Sequence, residues 1–282
     1  HALLRNRSGQ CFDLPAPSRA TAFLHWLRGS FPQASGLPKP DLLIGAGHAT
    51  HFALLAARRA SGGKAIVLMQ PSLPLSWFDL CIVPEHDQPT ERDNVIAIRG
   101  VLNDVQPSPT CPPDQGLMLI GGTSSHFGWD DAAVSTAVIK IAQSSRNIAW
   151  QLTTSRRTPP TFLASLPSPL PGNLSLVPHQ ETGKGWLEQA LARASQVWVT
   201  EDSVSMLYEA LTAGAGVGLL QLASKRDSRV QRGVKKLVAE KWVTPFIAWT
   251  PGATLARPPQ PFNEAERVAG LILTRYPHHA AL

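Results

Sequence analysis

The sequence is poor in charge, cysteine, methionine and tyrosine, and it contains no long apolar run. Only 16% of its 282 residues are charged, against a usual ~25%, yet 43% are hydrophobic. A chain of that composition can bury a core, so wholesale disorder is excluded. Pro, Gly, Arg or Ser interrupts every apolar run before it reaches the ~18 residues of a membrane span. The three cysteines, Cys11, Cys81 and Cys111, form no C-x-x-C pair. They exclude a disulfide framework and read as buried or incidental thiols of a reducing compartment, so the expected location is cytoplasmic. The nine histidines fall into no H-E-x-x-H or other zinc spacing, so no metal is expected. Neither G-x-x-x-x-G-K-[ST] nor G-x-G-x-x-G occurs, so a P-loop NTPase or a standard dinucleotide fold gains no support and no cofactor is expected. The chain opens on His1-Ala2-Leu3-Leu4, without a charged-then-apolar leader. That start is read as a processed terminus, or as one lacking a first strand and its Gly-rich turn.

What the chain does carry is positive charge. Lys and Arg number 26 against 20 Asp and Glu, a formal +6, with a pI near 9.5. Such a balance suits nucleic acid, an anionic membrane surface or a small phosphorylated ligand. The eight Trp are dispersed and form no stacking stripe, so no nucleic-acid partner is expected. The densest basic cluster runs from Lys225-Arg226 through Arg229, Arg232, Lys235 and Lys236. Val230, Val234, Leu237 and Val238 supply an apolar stripe beside it, so the cluster reads as the solvated face of a helix, open to peripheral contact with an anionic membrane surface.

Strand-length apolar runs alternate with helical stretches, the pattern of parallel α/β layers. Strands are expected at residues 41–44, 64–69, 78–83 and 95–98, with a helix at 52–57. Their apolar residues are continuous rather than alternating, as in sheets covered on both faces. The Pro-rich stretch 106–113 then reads as a linker, after which the cycle restarts. Strands are expected at 117–120, 147–152, 197–199 and 217–220, and helices at 130–143, 186–194, 203–211 and about 263–274. The expected architecture is α/β, with two Rossmann-like domains and an interdomain cleft. Residues 1–110 form the first domain, 114–260 the second, and 261–282 a last helix free to pack back on the first.

In such sheets ligands bind outside the carboxyl ends of the strands, and three segments fall there in the second half. Gly121-Gly122-Thr123-Ser124-Ser125-His126 joins an expected strand to a helix. Glycines permit close backbone approach and hydroxyl residues offer donors, so phosphate is one guest and a tight capped turn the plainer alternative. Arg156 and Arg157, among hydroxyls after the next strand, suit bidentate phosphate contacts or a solvated turn. After the third strand, Asp202 or Ser203 can cap a helix whose first-turn N–H groups, with Ser205, face a phosphate. Farther along, Glu209 can accept two hydrogen bonds from the vicinal hydroxyls of a ribose, or sit on the surface.

The pattern Ser203-x-Ser205-x-x-x-Glu209-Ala210-x-x-x-Gly214 resembles the donor-site segment of GT-B-type glycosyltransferases. More closely, residues 41–51, beginning Asp41-Leu42-Leu43-Ile44-Gly45, resemble the mitochondrial fission (elongated-mitochondria) protein family. So do Pro84-Glu85-His86-Asp87, Arg99-Gly100-Val101-Leu102-Asn103, Gly121-Gly122, Thr154-Ser155-Arg156-Arg157-Thr158-Pro159 and Asp202-Ser203-Val204-Ser205-Met206. These motifs keep their order from about residue 41 to 220. The resemblance implies a GT-B fold. Bacterial members look like enzymes acting on nucleotide sugars, whereas the plant member acts in organelle division through partners. The segment Ala213-Gly214-Ala215-Gly216-Val217 departs from the donor-site pattern by lacking a Pro.

Glycosyl transfer needs a base for the acceptor hydroxyl proton, and His51 or Glu85 are the candidates. His51 can equally be a satisfied helix histidine. Glu85-His86-Asp87 is a weak D-x-D-like metal motif and reads better as a strand-end cap. The expected function is therefore a glycosyltransferase that passes a sugar from a nucleotide diphosphate sugar to an unknown acceptor. Gly121, Gly122, Thr123, Ser124, Arg156, Arg157, Ser203 and Ser205 would hold phosphates and Glu209 the ribose. The alternative is a non-catalytic adaptor of the same fold. A sugar-nucleotide isomerase of the epimerase type is set aside, because Tyr208 and Tyr276 are the only tyrosines and neither has Lys four residues on.

Overall fold

A computed structural model of the chain describes residues 2–5, 9–108, 112–225 and 228–277. His1, the stretch 109–111 of the expected linker (Cys111 included) and Arg226 of the basic cluster lie outside the described residues. The chain divides into two compact units, one of His1–Leu102 with Glu264–Leu282 and the other of Asn103–Asn263.

The first unit opens with α1 (Arg19–Arg28), which Ser18 caps by accepting the Thr21 N–H at 3.2 Å. Then follow β1 (Leu42–Ala46), α2 (His51–Ser61), β2 (Lys64–Leu68), β3 (Leu80–Pro84) and β4 (Val95–Ile98). The four strands are parallel, in the order β1-β2-β3-β4. The continuous apolar runs have a simple cause, since alternate residues serve opposite faces. Ala65, Val67, Cys81 and Val83 pack with Leu54 and Leu55 of α2, while Ile66, Leu80, Ile82 and Ile98 pack with Val268 and Ile272 from the far end of the chain. Cys81 is fully buried, which pushes its thiol pKa up to about 11.

The second unit contains β5 (Gln115–Leu119), α3 (Asp131–Ser144), β6 (Ala149–Thr153), α4 (Pro160–Ala164), β7 (Leu174–Val177) and α5 (Trp186–Arg193). It continues with β8 (Gln196–Thr200), α6 (Val204–Ala213), β9 (Gly216–Leu220), α7 (Arg229–Ala239) and β10 (Thr244–Pro245). Its six strands are parallel in the order β10-β9-β8-β5-β6-β7. Counted from β5, that is the doubly wound 3-2-1-4-5-6 order, whose topological switch point lies between β5 and β8. Trp150 and Trp198, on β6 and β8, fill the core as 2% and 1% exposed side chains.

The last helix, α8 (Glu264–Arg275), belongs to the first unit. Glu264 accepts the Arg99 N–H at 3.0 Å, Arg267 donates to the Ala97 carbonyl at 2.8 Å, and the Tyr276 hydroxyl donates to the Asp79 carbonyl at 3.2 Å. The division at Asn103 lies upstream of the Pro-rich stretch because that segment is already tied to the second unit. Asn103 donates to the Thr212 hydroxyl at 3.1 Å, and the Ser108 N–H to the Ala213 carbonyl at 3.1 Å. Four elements escape the sequence reading: α1, α4, β7 and β10. α4 has five residues and β10 only two, while α1 buries Ala22 alone and so carries little apolar signal. β7 is a four-residue Leu-Ser-Leu-Val run behind Pro167, Pro169 and Pro171, which mask it as loop.

Candidate functional site

At the switch point of the second unit, the turn after β5 meets the turn after β8. Their contact is dense enough to exclude a single methyl group. A Cβ on Gly121 would fall 2.3 Å from an Asp202 carboxylate oxygen and 2.4 Å from the Ser203 hydroxyl. The glycines therefore serve close packing. Their amides, expected to face phosphate, are already committed: Gly121 N–H donates to Thr200 Oγ1 at 2.7 Å and Gly122 N–H to Asp202 Oδ2 at 2.9 Å.

Arg157, from the turn after β6, closes the network. Its guanidinium lies 2.7 Å from Asp202 Oδ2, donates to the Thr123 carbonyl at 3.0 Å and to Ser203 Oγ at 3.1 Å. The Thr123 N–H returns a bond to the Arg157 carbonyl at 3.2 Å. Ser155 and Thr158 donate to carbonyls of the first turn, Ser155 to Gly121 at 2.9 Å and Thr158 to Ile120 at 3.1 Å. The Asp202 side chain is wholly buried, and its Oδ1 has no hydrogen-bond partner among the described residues. A buried carboxylate needs a partner charge, so Arg157 is bound to a structural task. Ser203 is drawn in the same way. It sits at the N-cap of α6, but its hydroxyl receives Arg157 and makes no capping bond.

Other residues of the expected site remain open. Arg156 is exposed, with no hydrogen-bond or ion-pair partner among the described residues. Ser205 is exposed on the first turn of α6. The backbone N–H groups of Val204, Ser205 and Met206 have no acceptor among the described residues, as the first turn of any helix leaves them. Ser124 is half committed, because its hydroxyl accepts the Phe127 N–H at 3.0 Å while its carbonyl accepts Lys225 Nζ at 3.0 Å. Glu209 lies farther along α6, partly buried, with no hydrogen-bond donor among the described residues. Burial raises its pKa above the ordinary carboxyl value, and the neighbouring charges of Glu188 and Asp104 push the same way.

The base candidates belong to the first unit. His51, the first residue of α2, is 2% exposed, with Nδ1 3.2 Å from the Ser72 hydroxyl and its ring against His48 and Phe78. Burial, with the charges of His48 and Arg19, lowers its pKa. It has the character of a satisfied helix histidine. Glu85 keeps 34% of its side chain exposed, 3.8 Å from Arg99.

Sequence reasoning thus named Gly121, Gly122, Thr123, Arg157 and Ser203, which the structure joins in one network. Arg156, Ser124 and Ser205 lie on the same turns or on the first turn of α6, and Glu209 farther along that helix, near Glu188 and Asp104. Thr200, Ser155, Thr158 and the buried role of Asp202 were missed. The clustering of hydroxyls and one acid directly after strand ends was the available signal. Among the described residues no group of three His, Cys, Asp or Glu could hold a metal ion, and no helix is long and apolar enough to cross a membrane.

An uncharacterized protein of Rickettsia prowazekii is 22% identical, over 83% of this chain and 79% of its own length. A Listeria monocytogenes structure described as a "putative UDP-N-acetylglucosamine 2-epimerase" aligns over 95% of this chain and 83% of its own, with a TM-score of 0.56 and 12% identity. MurG of Acinetobacter baumannii aligns over 99% and 82%, with a TM-score of 0.46 and 12% identity. The fold is that of two Rossmann-like domains of the GT-B type. The profile of the family described as Mitochondrial fission ELM1 matches residues 3–276, and the chain belongs to that family.

Proposed function

We propose that the second unit binds a nucleoside diphosphate sugar and that the protein transfers the sugar to a hydroxyl acceptor. The observation that carries this reading is Glu209, a partly buried carboxylate without a donor among the described residues. It stands on the helix that starts at the switch point. A ribose supplies the two hydroxyl donors such a carboxylate lacks. The open amides of Val204 to Met206, with Ser205, Thr123 and Arg156, then take the diphosphate. Likeness in fold to a protein described as acting on a UDP-sugar agrees with this ligand class.

In the transfer, a base removes the acceptor hydroxyl proton, the oxygen bonds to the anomeric carbon, and the diphosphate leaves with the electron pair of the broken C–O bond. Of the two base candidates Glu85 is the more accessible, because His51 is 2% exposed. Donors aimed at the leaving diphosphate stabilise the charge that develops there.

Calorimetric titration with a panel of nucleoside diphosphates and their sugars tests the reading. Glu209→Gln should weaken the best ligand roughly 10- to 100-fold, the worth of hydrogen bonds to a charged group. The pKa of Glu209 is raised, so its acceptor form fills only as pH climbs past the ordinary carboxyl range. Affinity should rise across that window in the native protein and stay flat in Glu209→Gln. No heat with any nucleotide at millimolar concentration, or an unchanged Kd in the variant, would defeat the proposal.

A further inference from the structure

The basic cluster after β9 is not among the residues assigned to the nucleotide above, and its geometry is specific. Gln231, Val234 and Leu237 bury one side of α7, and Ser228 caps it by accepting the Gln231 N–H at 3.2 Å. Arg229, Arg232, Lys235 and Lys236 recur at i, i+3, i+6 and i+7, which on a 3.6-residue helix is the side opposite that stripe. All four are exposed, as are Lys225 before the helix and Lys241 after it. No carboxylate lies on α7 itself. Glu240, just beyond it, lies 3.8 Å from Lys236 and also accepts Trp242 Nε1 at 3.1 Å.

We propose that this face of α7 docks on the headgroup plane of an anionic phospholipid bilayer. The face is a row of cations about 10 Å long, at 1.5 Å per residue, with no exposed large apolar side chain on α7. Contact would therefore be electrostatic and lie at the surface, without insertion. A nucleic acid fits less well. The face carries no aromatic ring to stack on bases, and the one amide side chain of α7, Gln231, is buried away from it and cannot read a base edge.

Co-sedimentation of the full chain with vesicles tests this. One set is phosphatidylcholine alone, the other phosphatidylcholine and phosphatidylglycerol in equal parts. Each Lys or Arg near an anionic surface is worth roughly a fivefold gain in partitioning. The four cations of α7 thus predict a preference of several hundred-fold for the anionic vesicles, lost at 1 M salt, where the Debye length is about 3 Å. Replacing Arg232, Lys235 and Lys236 together by Gln should weaken binding roughly a hundredfold while leaving the melting temperature and nucleotide titration unchanged. If that triple variant misfolds, Arg229→Gln with Arg232→Gln should weaken it roughly 25-fold. Equal binding to both vesicles, or full binding by a folded variant, overturns the proposal. So does release by glycerol phosphate at millimolar concentration, which would make a free phosphate the ligand. Preferential capture of duplex DNA through the same residues would also overturn it in favour of a nucleic acid.

Discussion

Gly122→Ala is expected to cost the second unit about 4 kcal/mol, the level at which single substitutions become exceptional. The added Cβ would fall 2.0 Å from the Arg157 carbonyl oxygen, 2.2 Å from its carbon and 2.5 Å from the Thr158 nitrogen. Overpacking against flexible side chains costs ~1–3 kcal/mol because they swing away. Here the obstacle is backbone, pinned by the bond from Thr123 N–H to Arg157 and by the Ser155 and Thr158 hydroxyls on the facing carbonyls. Neither turn can yield without breaking those bonds. At ~2–4 °C per kcal/mol for a unit of this size, the melting temperature should fall by roughly 8–16 °C. Gly172→Ala is the control, since a Cβ there meets nothing within 4 Å, and it should melt like the native protein. A Gly122→Ala melt within a degree or two of native would mean that the turns do not meet as described.

The sheets were legible in the sequence because each buried strand is a continuous apolar run, and burial on both faces demands that pattern. β8 and β9 are buried throughout and both were found. The strands that escaped, β7 and β10, lie at the edges of the second sheet, where fewer residues need be apolar. The site was legible in position but only partly in role. Strand-end location identified Gly121, Gly122, Arg157 and Ser203 as important, since the turns after β5, β6 and β8 meet at one edge of the sheet. It did not reveal that these residues satisfy one another. Whether an N–H points at a ligand or at a hydroxyl 79 residues away depends on tertiary contact, and local sequence is silent on that. Asp202 shows the difficulty most plainly. As a sequence feature it is a helix cap, whereas in the fold its buried carboxylate organises the amide of Gly122 and the guanidinium of Arg157.

That distinction separates two adjacent arginines by experiment. Arg157→Ala should destabilise the second unit by about 3 kcal/mol, near the lower end for breaking a buried pair, because Arg157 is 44% exposed while Asp202 is wholly buried. Asp202 would keep the Gly122 N–H, but its Oδ1 already lacks a partner, and its negative charge would stand uncompensated. Removing the orphaned charge as well, in Arg157→Ala with Asp202→Ala, should recover part of the loss, as coupled partners do. Arg156→Ala should leave stability within about 0.5 kcal/mol, as exposed positions do, since the side chain has no partner among the described residues to lose. Yet it should weaken nucleotide binding roughly 10- to 100-fold if it meets the diphosphate through charge-assisted bonds. Melting curves and nucleotide titrations on the same three variants read both quantities. The opposite pattern, with Arg156→Ala melting early and Arg157→Ala losing only affinity, would reverse the two roles and return Arg157 to the ligand.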